Sequence, residues 1–434
     1  MQAKHAWAPC SQYLVKPALI DNKTGLIFQI SRLFQLSRRP SRKVCPLLHR
    51  ENRLKKHPRL KARLARRKVE GFPATNAADP GTLRVTQTLN VGLLGAGWFG
   101  RAAHLTNLVR LNGVNVVAAS SRSEASLAAA KEIAGDDLQT FTDWRRVLDI
   151  DSLDAVIIAL TNDQHHAACL AAFDKGKHVL CEKPLGLTVS ECDEIIAAST
   201  AADRVLQVGH EMRFQRMYQH MQRLVGQGDI GNLHMMWCRE YRGPMRPGWR
   251  SSERLTGGTI LEKNCHHFDL FNWVLATPPV RVAALGGRDV LLDREVLDNA
   301  LVLVEHEGGR RAVLELCLFA PHGGDTEIGV AGSNGRIDTF NQARKLIHHR
   351  FDLPERAEID VADSPDEAGF VDAAGRLDRG ILPELIHFVE CCQTGGTPLT
   401  DGPSARMNVA VCLAAQESIR RGEMVTIDET LGTS

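Results

Sequence analysis

No apolar run in this 434-residue chain approaches the roughly 18–20 residues that a bilayer-spanning helix needs. The longest candidates, such as residues 155–160, are short and read as buried strands. There is no secretory core either, because residues 25–30 are too few and too polar. Among eleven cysteines no C-x-x-C pair occurs; nine stand singly and Cys391 and Cys392 are adjacent. That pattern argues against a zinc ribbon or a redox motif. Scattered thiols used as small apolar side chains suit a reducing compartment, and a cytoplasmic location is expected. Acids are almost missing from residues 1–89, which hold four against 19 Lys and Arg, a net of +15. The remainder carries 34 basic and 47 acidic residues, a net of −13, so the overall +2 conceals an acidic body. Phosphate backbones are bound by clustered Lys and Arg, so no nucleic-acid partner is expected for that body. Apolar residues at 44% and charged residues at 24% match an ordinary globular protein. At roughly 100–200 residues per domain, two or three domains are expected.

Residues 1–84 form a basic head without sustained helix or strand periodicity, interrupted by Pro40, Pro46 and Pro58. Such a stretch cannot bury enough apolar surface to offset its ordering entropy, so it reads as a disordered extension. Three readings stand side by side. It is an Arg-rich, acid-poor targeting peptide, a basic arm for nucleic acid or membrane, or an extension upstream of the true start. No Met lies between Met1 and Met212, so an internal start would use another codon, for example at Val69 or Val85.

Regular structure is expected from about residue 85. A strand over residues 89–94 runs into Gly95-Ala96-Gly97-Trp98-Phe99-Gly100, a G-x-G-x-x-G. A helix over residues 101–110 and a second strand over 114–119 follow. Strand, glycine turn, helix and strand within about 30 residues form the dinucleotide fingerprint. Gly95 permits the turn, Gly97 admits a pyrophosphate, and Gly100 allows close helix–strand packing. The helix N-terminus then faces the phosphates. The second strand ends on Ser121 and Arg122 rather than on the acid that usually binds the NAD ribose. Hydroxyl plus guanidinium suits a 2′-phosphate, so the cofactor is NAD(P), with NADP favoured. The alternation continues with a helix over 124–134, a strand at Phe141, and a helix over 144–148 capped by Asp143. Then come a strand over 155–160, a helix over 163–174, a strand over 178–181, a helix over 189–200 and a strand over 205–208. This is the pattern of a doubly wound parallel sheet, an α/β Rossmann domain over residues 85–211. Ligands of such sheets bind beyond the strands' carboxyl ends, where Thr161, Asn162 and Glu182-Lys183-Pro184 fall.

Glu182-Lys183-Pro184 after Gly176-Lys177-His178-Val179-Leu180 resembles the signature of the Gfo/Idh/MocA oxidoreductases, the family of glucose-fructose oxidoreductase and inositol dehydrogenase. The resemblance covers about residues 89–427. It includes the glycine loop, Asn162 and His165, Gly209-His210 to Arg213-Phe214, Gly257-Gly258, and His266 with Asp269. It implies a cofactor site that takes in Thr161, Asn162, His165, Glu182 and Lys183 along with the glycine loop, and it implies homodimers or homotetramers. Thr161 departs from the family, which usually has proline there.

Lys183 precedes a proline, which restricts its backbone to extended conformations. A lysine fixed at a strand end can stabilise a developing alkoxide. Residues 259–275 read as a helix entered through Gly257-Gly258. Glu262 and His266 lie at i and i+4, on one face. An imidazole titrating near neutrality suits proton exchange with a hydroxyl. By resemblance, His266 is the acid/base histidine and Glu262 stands where an aspartate binds substrate. Asp269 either orients His266 or makes a structural hydrogen bond. A metal site built from Glu262, Cys265, His266 and His267 has no third ligand on one helical face, so no metal is expected.

Residues 212–434 are expected to form an α+β domain for substrate and oligomerisation, with an open, mostly antiparallel sheet. Its strands are expected over 233–241, 280–289, 299–306, 311–319, 328–330 and 336–339, with a closing helix over 403–422 packing back. The loop over 241–254 carries Tyr241, Arg242, Arg246, Trp249 and Arg250. From it, Tyr241 and Trp249, with Arg213, are taken as substrate contacts. The function these readings imply is an NAD(P)-dependent oxidoreductase acting on a secondary alcohol of a sugar, polyol or cyclitol. A non-catalytic NAD(P)-binding sensor of the same fold is the alternative.

Overall fold

The computed structural model describes residues 88–244, 247–321, 326–340, 344–360 and 380–432. The basic head, residues 1–84, and Arg246 lie outside the described residues.

Six strands form the first sheet: β1 (Leu89–Leu94), β2 (Val114–Ser120), β3 (Gln139–Phe141), β4 (Ala155–Ile158), β5 (His178–Glu182) and β6 (Leu206–Gly209). Their order is β3-β2-β1-β4-β5-β6 and every pair is parallel. The continuous apolar runs follow from this, since helices cover both faces of a parallel sheet. All four residues of β4 are buried. Helices α1 (Glu124–Ala134), α2 (His165–Asp174) and α3 (Val189–Ala202) provide crossovers. Ser123 and Thr188 start α1 and α3 by accepting from the amides of Ser126 and Glu191. The strand order reverses between β1 and β4, which opens a crevice beyond their carboxyl ends.

Local details depart from the sequence reading. The helix after the glycine loop begins as a π-helical turn, Gly100–Leu105, and continues only through Thr106–Leu108. The short helix expected over 144–148 is Arg145–Leu148, and Asp143 Oδ1 accepts from its first amide at 3.1 Å. A 3-10 turn, Asn162–Gln164, precedes α2.

The second sheet has nine strands: β7 (Leu233–Tyr241), β8 (Pro279–Gly287), β9 (Asn299–His306), β10 (Arg311–Cys317), β11 (Thr326–Gly332), β12 (Gly335–Phe340), β13 (Lys345–Arg350), β14 (Ala357–Asp360) and β15 (Val425–Thr426). Their order is β14-β13-β12-β11-β7-β10-β9-β8-β15. The β7–β10 pair is parallel and the other pairs are antiparallel. The remaining long helices are α4 (Arg216–Gly226), α5 (Thr259–Leu275), α6 (Ile381–Thr394) and α7 (Gly402–Arg421). The closing helix α7 packs on α5, on β8 and on α3 of the first sheet. One apolar cluster therefore runs from Val156 and Val179 through Phe268 and Cys412 to Val302 and Leu314. That continuity holds the carboxyl ends of the first sheet against α5. Strands β13 and β14 and helix α6 are additions to the elements read from sequence. Among the described residues no helix is long and apolar enough to cross a membrane.

Candidate active site

The glycine loop is built for a close ligand. The amides of Gly95 and Ala96 both donate to the Ser120 carbonyl, at 3.1 and 2.6 Å, which binds the loop to the end of β2. A Cβ on Gly100 would collide with the Gly95 carbonyl oxygen, whereas a Cβ on Gly97 would point into open space. The loop is thus closed on its protein side and open where a pyrophosphate would lie. Trp98 is 57% exposed at the rim, and Phe99 stacks edge-on against His104. Ser121 donates its amide to the Phe141 carbonyl, and Arg122 stands exposed beside it. These residues fit a dinucleotide.

At the end of β5, Glu182 is buried and its Oε1 accepts from His104 Nε2 at 2.8 Å. Burial would raise the Glu182 carboxyl, but His104 and Lys183 hold it below its ordinary value. Lys183 follows, joined to Pro184 by a cis peptide bond. Its Nζ donates to the Glu262 carbonyl at 2.6 Å and lies 3.8 Å from Glu262 Oε1. Burial would lower its pKa; Glu262 and the more distant Glu182 and Glu211 outweigh that and raise it. Lys183 is therefore a permanent ammonium at neutral pH, a donor and a positive charge rather than a base.

Glu262 also accepts from Arg250 Nε at 2.9 Å. Burial would raise its carboxyl, yet Lys183, Arg250 and Lys263 bring it to about 2. One turn further along α5, His266 Nδ1 lies 3.3 Å from Glu211 Oε2. The His266 ring packs edge-on against His210, 5.7 Å between centroids. The structure thus gathers Lys183, Glu262 and His266 where β5 meets α5.

Other residues take different places. Arg213, expected as a substrate contact, has its guanidinium engaged inside the protein. Its guanidinium grips Asp269 through two hydrogen bonds of 2.7 and 2.6 Å and donates to the Leu399 carbonyl at 2.8 Å. Asn408 adds a 2.7 Å bond to the same carboxylate, so Asp269 is structural and does not orient His266. Tyr241 lies on the outward face of β7. Its hydroxyl reaches Glu315 at 3.4 Å and Arg239 lies over its ring. Side chains alternate along a strand, so the inward residue is its neighbour Glu240. His165 is fully buried, with Nδ1 2.7 Å from the Pro184 carbonyl, and it steadies the Lys183–Pro184 turn rather than facing the crevice. Asn162 gives its amide to the Thr256 carbonyl at 3.1 Å, joining the end of β4 to the start of α5. Thr161 bonds Asp163 at 2.6 Å and Gln164 at 2.9 Å. Trp249 lies under the Arg250 guanidinium, 4.4 Å from its centre, at the site's edge.

Several groups were given no site role in the sequence reading. His104 carries no spacing signal that points to the site, and His210 and Glu211 entered only as part of the Gly209 to Phe214 motif. Buried Glu240 pairs with Arg242, with Lys263 at 3.2 Å and with His267 at 3.5 Å, directly behind Glu262. His267 is therefore part of an internal polar network. Among the described residues no group of His, Cys, Asp and Glu is arranged to hold a metal ion. A cavity of about 670 Å³ between Gly258, Gln416 and Glu429 lies behind the start of α5, away from Lys183 and His266.

A glycine-loop crevice joined to a lysine–histidine pair defines a nicotinamide-dinucleotide oxidoreductase. Residues 89–210 match the model described as "Oxidoreductase family, NAD-binding Rossmann fold", and residues 218–338 match the "GFO/IDH/MocA C-terminal domain". The chain belongs to the Gfo/Idh/MocA family of NAD(P)-dependent oxidoreductases. It is 27% identical to myo-inositol 2-dehydrogenase of Thermotoga maritima, across 79% of this chain and 100% of that one. It is 28% identical to inositol 2-dehydrogenase 3 of Saccharopolyspora erythraea, across 78% and 96%. Among solved structures, an oxidoreductase domain protein from Kribbella flavida superposes with a TM-score of 0.71 at 23% identity, covering 79% of this chain and 99% of that one. Levoglucosan dehydrogenase in complex with NADH superposes with a TM-score of 0.70 at 20% identity, covering 79% and 99%. These two share the fold.

Proposed function

We propose that this protein oxidises, or in reverse regenerates, a secondary alcohol of a polyol, cyclitol or sugar. The observation that carries the reading is the placement of the Lys183 ammonium 2.6 Å from the Glu262 carbonyl, one helical turn from His266. Bound nicotinamide supplies the hydride acceptor or donor. The protein's own groups handle the oxygen and its proton. Lys183 donates a hydrogen bond to the reacting oxygen and stabilises its developing negative charge. His266 takes the hydroxyl proton, and Glu211 beside Nδ1 stabilises the imidazolium that forms. Glu262, held anionic by Lys183 and Arg250, accepts from a neighbouring hydroxyl and selects vicinal polyols. The named relatives are dehydrogenases, which favours turnover over a sensor.

NADP is favoured over NAD because Ser121 and Arg122 stand where an acid would contact the ribose. We assign the boundaries 85–211 for the cofactor domain and 212–434 for the substrate domain. The outward face of the second sheet carries Leu285, Leu301 and Leu303, each more than half exposed. Leu285 pairs directly with Leu301 across β8 and β9. An apolar patch of this kind marks an interface, and we assign it to a homodimer or homotetramer. The nine cysteines among the described residues are all unbridged, which fits a reducing, cytoplasmic setting.

The test is reduction of NAD⁺ and NADP⁺ by the full chain with inositols, aldoses and sugar acids. Turnover with one class supports the reading. Cofactor binding without turnover in either direction overturns it.

A further inference from the structure

Glu384, in the first turn of α6, is fully buried, and neither of its carboxyl oxygens has a hydrogen-bond partner among the described residues. Its backbone is well tied: the amide donates to Gly380 at 3.1 Å and the carbonyl accepts from Gln207 Nε2 at 3.0 Å. Only the side chain is left over. An unsatisfied buried polar group costs about 1–3 kcal/mol, and more if charged. Native proteins meet that cost with a partner or with enclosed water.

The surroundings say what the carboxyl faces. Glu182 from the end of β5, Glu211 from the turn after β6 and Asp269 from α5 all act on it. Burial and these three carboxylates push Glu384 well above the usual carboxylate range, so it keeps its proton where ordinary acids have lost theirs. The start of α6 presses on Glu211: a Cβ on Gly380 would strike the Glu211 carbonyl oxygen. Glu211 in turn contacts His266 at 3.3 Å.

Further polar atoms around β6 are orphaned in the same way. Gln207 Oε1, Thr400 Oγ1 and His210 Nδ1 are buried without a partner among the described residues. The Thr400 carbonyl accepts from Val208 at 2.8 Å, which brings its loop alongside β6. Four unsatisfied side chains on β6, on the residue that follows it and on the two segments packed against it call for enclosed water rather than four separate accidents.

We propose that Glu384 is the proton reservoir of the active site, exchanging its proton with His266 by way of Glu211 and water enclosed among Gln207, Thr400 and His210. This rests on the reading of His266 as the group that exchanges a proton with the substrate. In carbonyl reduction, hydride from the reduced nicotinamide adds to the carbonyl carbon. The oxygen takes a proton from His266, which is refilled through Glu211 and water as the Glu384 O–H bond breaks. Glu384 is left as a carboxylate and regains its proton from solvent once product leaves. Oxidation runs the same steps in reverse: Glu384 gives its proton to solvent as the alcohol binds, and the carboxylate then takes up the proton that His266 removes from the hydroxyl. The device lets a closed cleft move one proton without opening to bulk water.

The test compares full-length native protein with Glu384→Gln, which keeps the shape and removes the proton. The expected result is a roughly hundredfold fall in kcat for reduction, the low end of what positioned proton transfer contributes, with KM unchanged. The alkaline limb of the kcat profile disappears with it. A variant with native kcat and native pH profile overturns the proposal. If Glu384→Gln does not fold, difference infrared spectra of the native enzyme decide. Loss of a protonated-carboxyl C=O band during turnover supports the reservoir, and its absence contradicts it. A native enzyme that turns over nothing instead defeats the functional reading beneath it, so the two failures are distinguishable.

Discussion

At the residue scale, the proposal gives Lys183 and His266 different tasks because of their surroundings. Glu262 and other carboxylates keep Lys183 charged, so the proposal has it act on the oxygen and not on the proton. Replacing it with Met is expected to lower kcat by about 10²–10³-fold, the range for removing one preorganised donor. The change should fall on kcat rather than on cofactor affinity, measured by calorimetry beside steady-state kinetics. His266→Ala is expected to cost about 10²–10⁴-fold and to abolish the ionisation that governs kcat/KM. Glu262 makes a different prediction. Its carboxyl is at about 2 in the folded protein and about 4.3 when unfolded. A depressed carboxylate stabilises the fold above its unfolded pKa and loses that effect as pH falls toward the folded value. The native protein should therefore lose more melting temperature between about pH 5 and pH 2 than Glu262→Gln does. The grouping of these three residues was legible in sequence because a strand end fixes one and an i, i+4 spacing sets the other two on one face; the roles proposed for His266 and Glu262 came from the family resemblance. Arg213 was not, since nothing in its spacing tells that Asp269 and Leu399 occupy its guanidinium.

At the scale of elements, the glycine loop and the helices that follow strands were readable from periodicity and caps. Strand β7 shows the limit. Tyr241 and Glu240 are neighbours, and a period of two puts one on the sheet's outer face and the other behind Glu262. The sequence does not say which end of the alternation faces α5. Helix α6 was hidden by Pro383, which reads as a break. It sits in the first turn, where no amide hydrogen is required. Strand β13 was hidden by its basic and histidine residues, although Leu346 is fully buried. The loop itself yields a test. Gly97→Val places a branched side chain where the pyrophosphate would approach, and the Kd for NADP⁺ should rise at least tenfold with the melting temperature unchanged. Unaltered affinity would remove the loop from the cofactor site.

At the scale of the whole molecule, α7 closes against α5 and against α3, so one apolar core spans both sheets. That is why a lysine on one sheet and a histidine packed on the other keep a fixed separation. The outward face of the second sheet exposes Leu285, Leu301 and Leu303. Leu301→Glu with Leu285→Glu puts two charges directly opposite each other on β9 and β8. Sedimentation should show the native protein as an oligomer and this variant at a smaller mass; identical masses would move the interface elsewhere. The most direct measurement for the central claim is the appearance of reduced nicotinamide when the full chain meets NADP⁺ or NAD⁺ with a panel of inositols, aldoses and sugar acids, with Lys183→Met run in parallel. The account predicts reduction with one polyol class and its near-complete loss in the variant. Equal rates in the two proteins, or no hydride transfer in either direction despite bound cofactor, would contradict it.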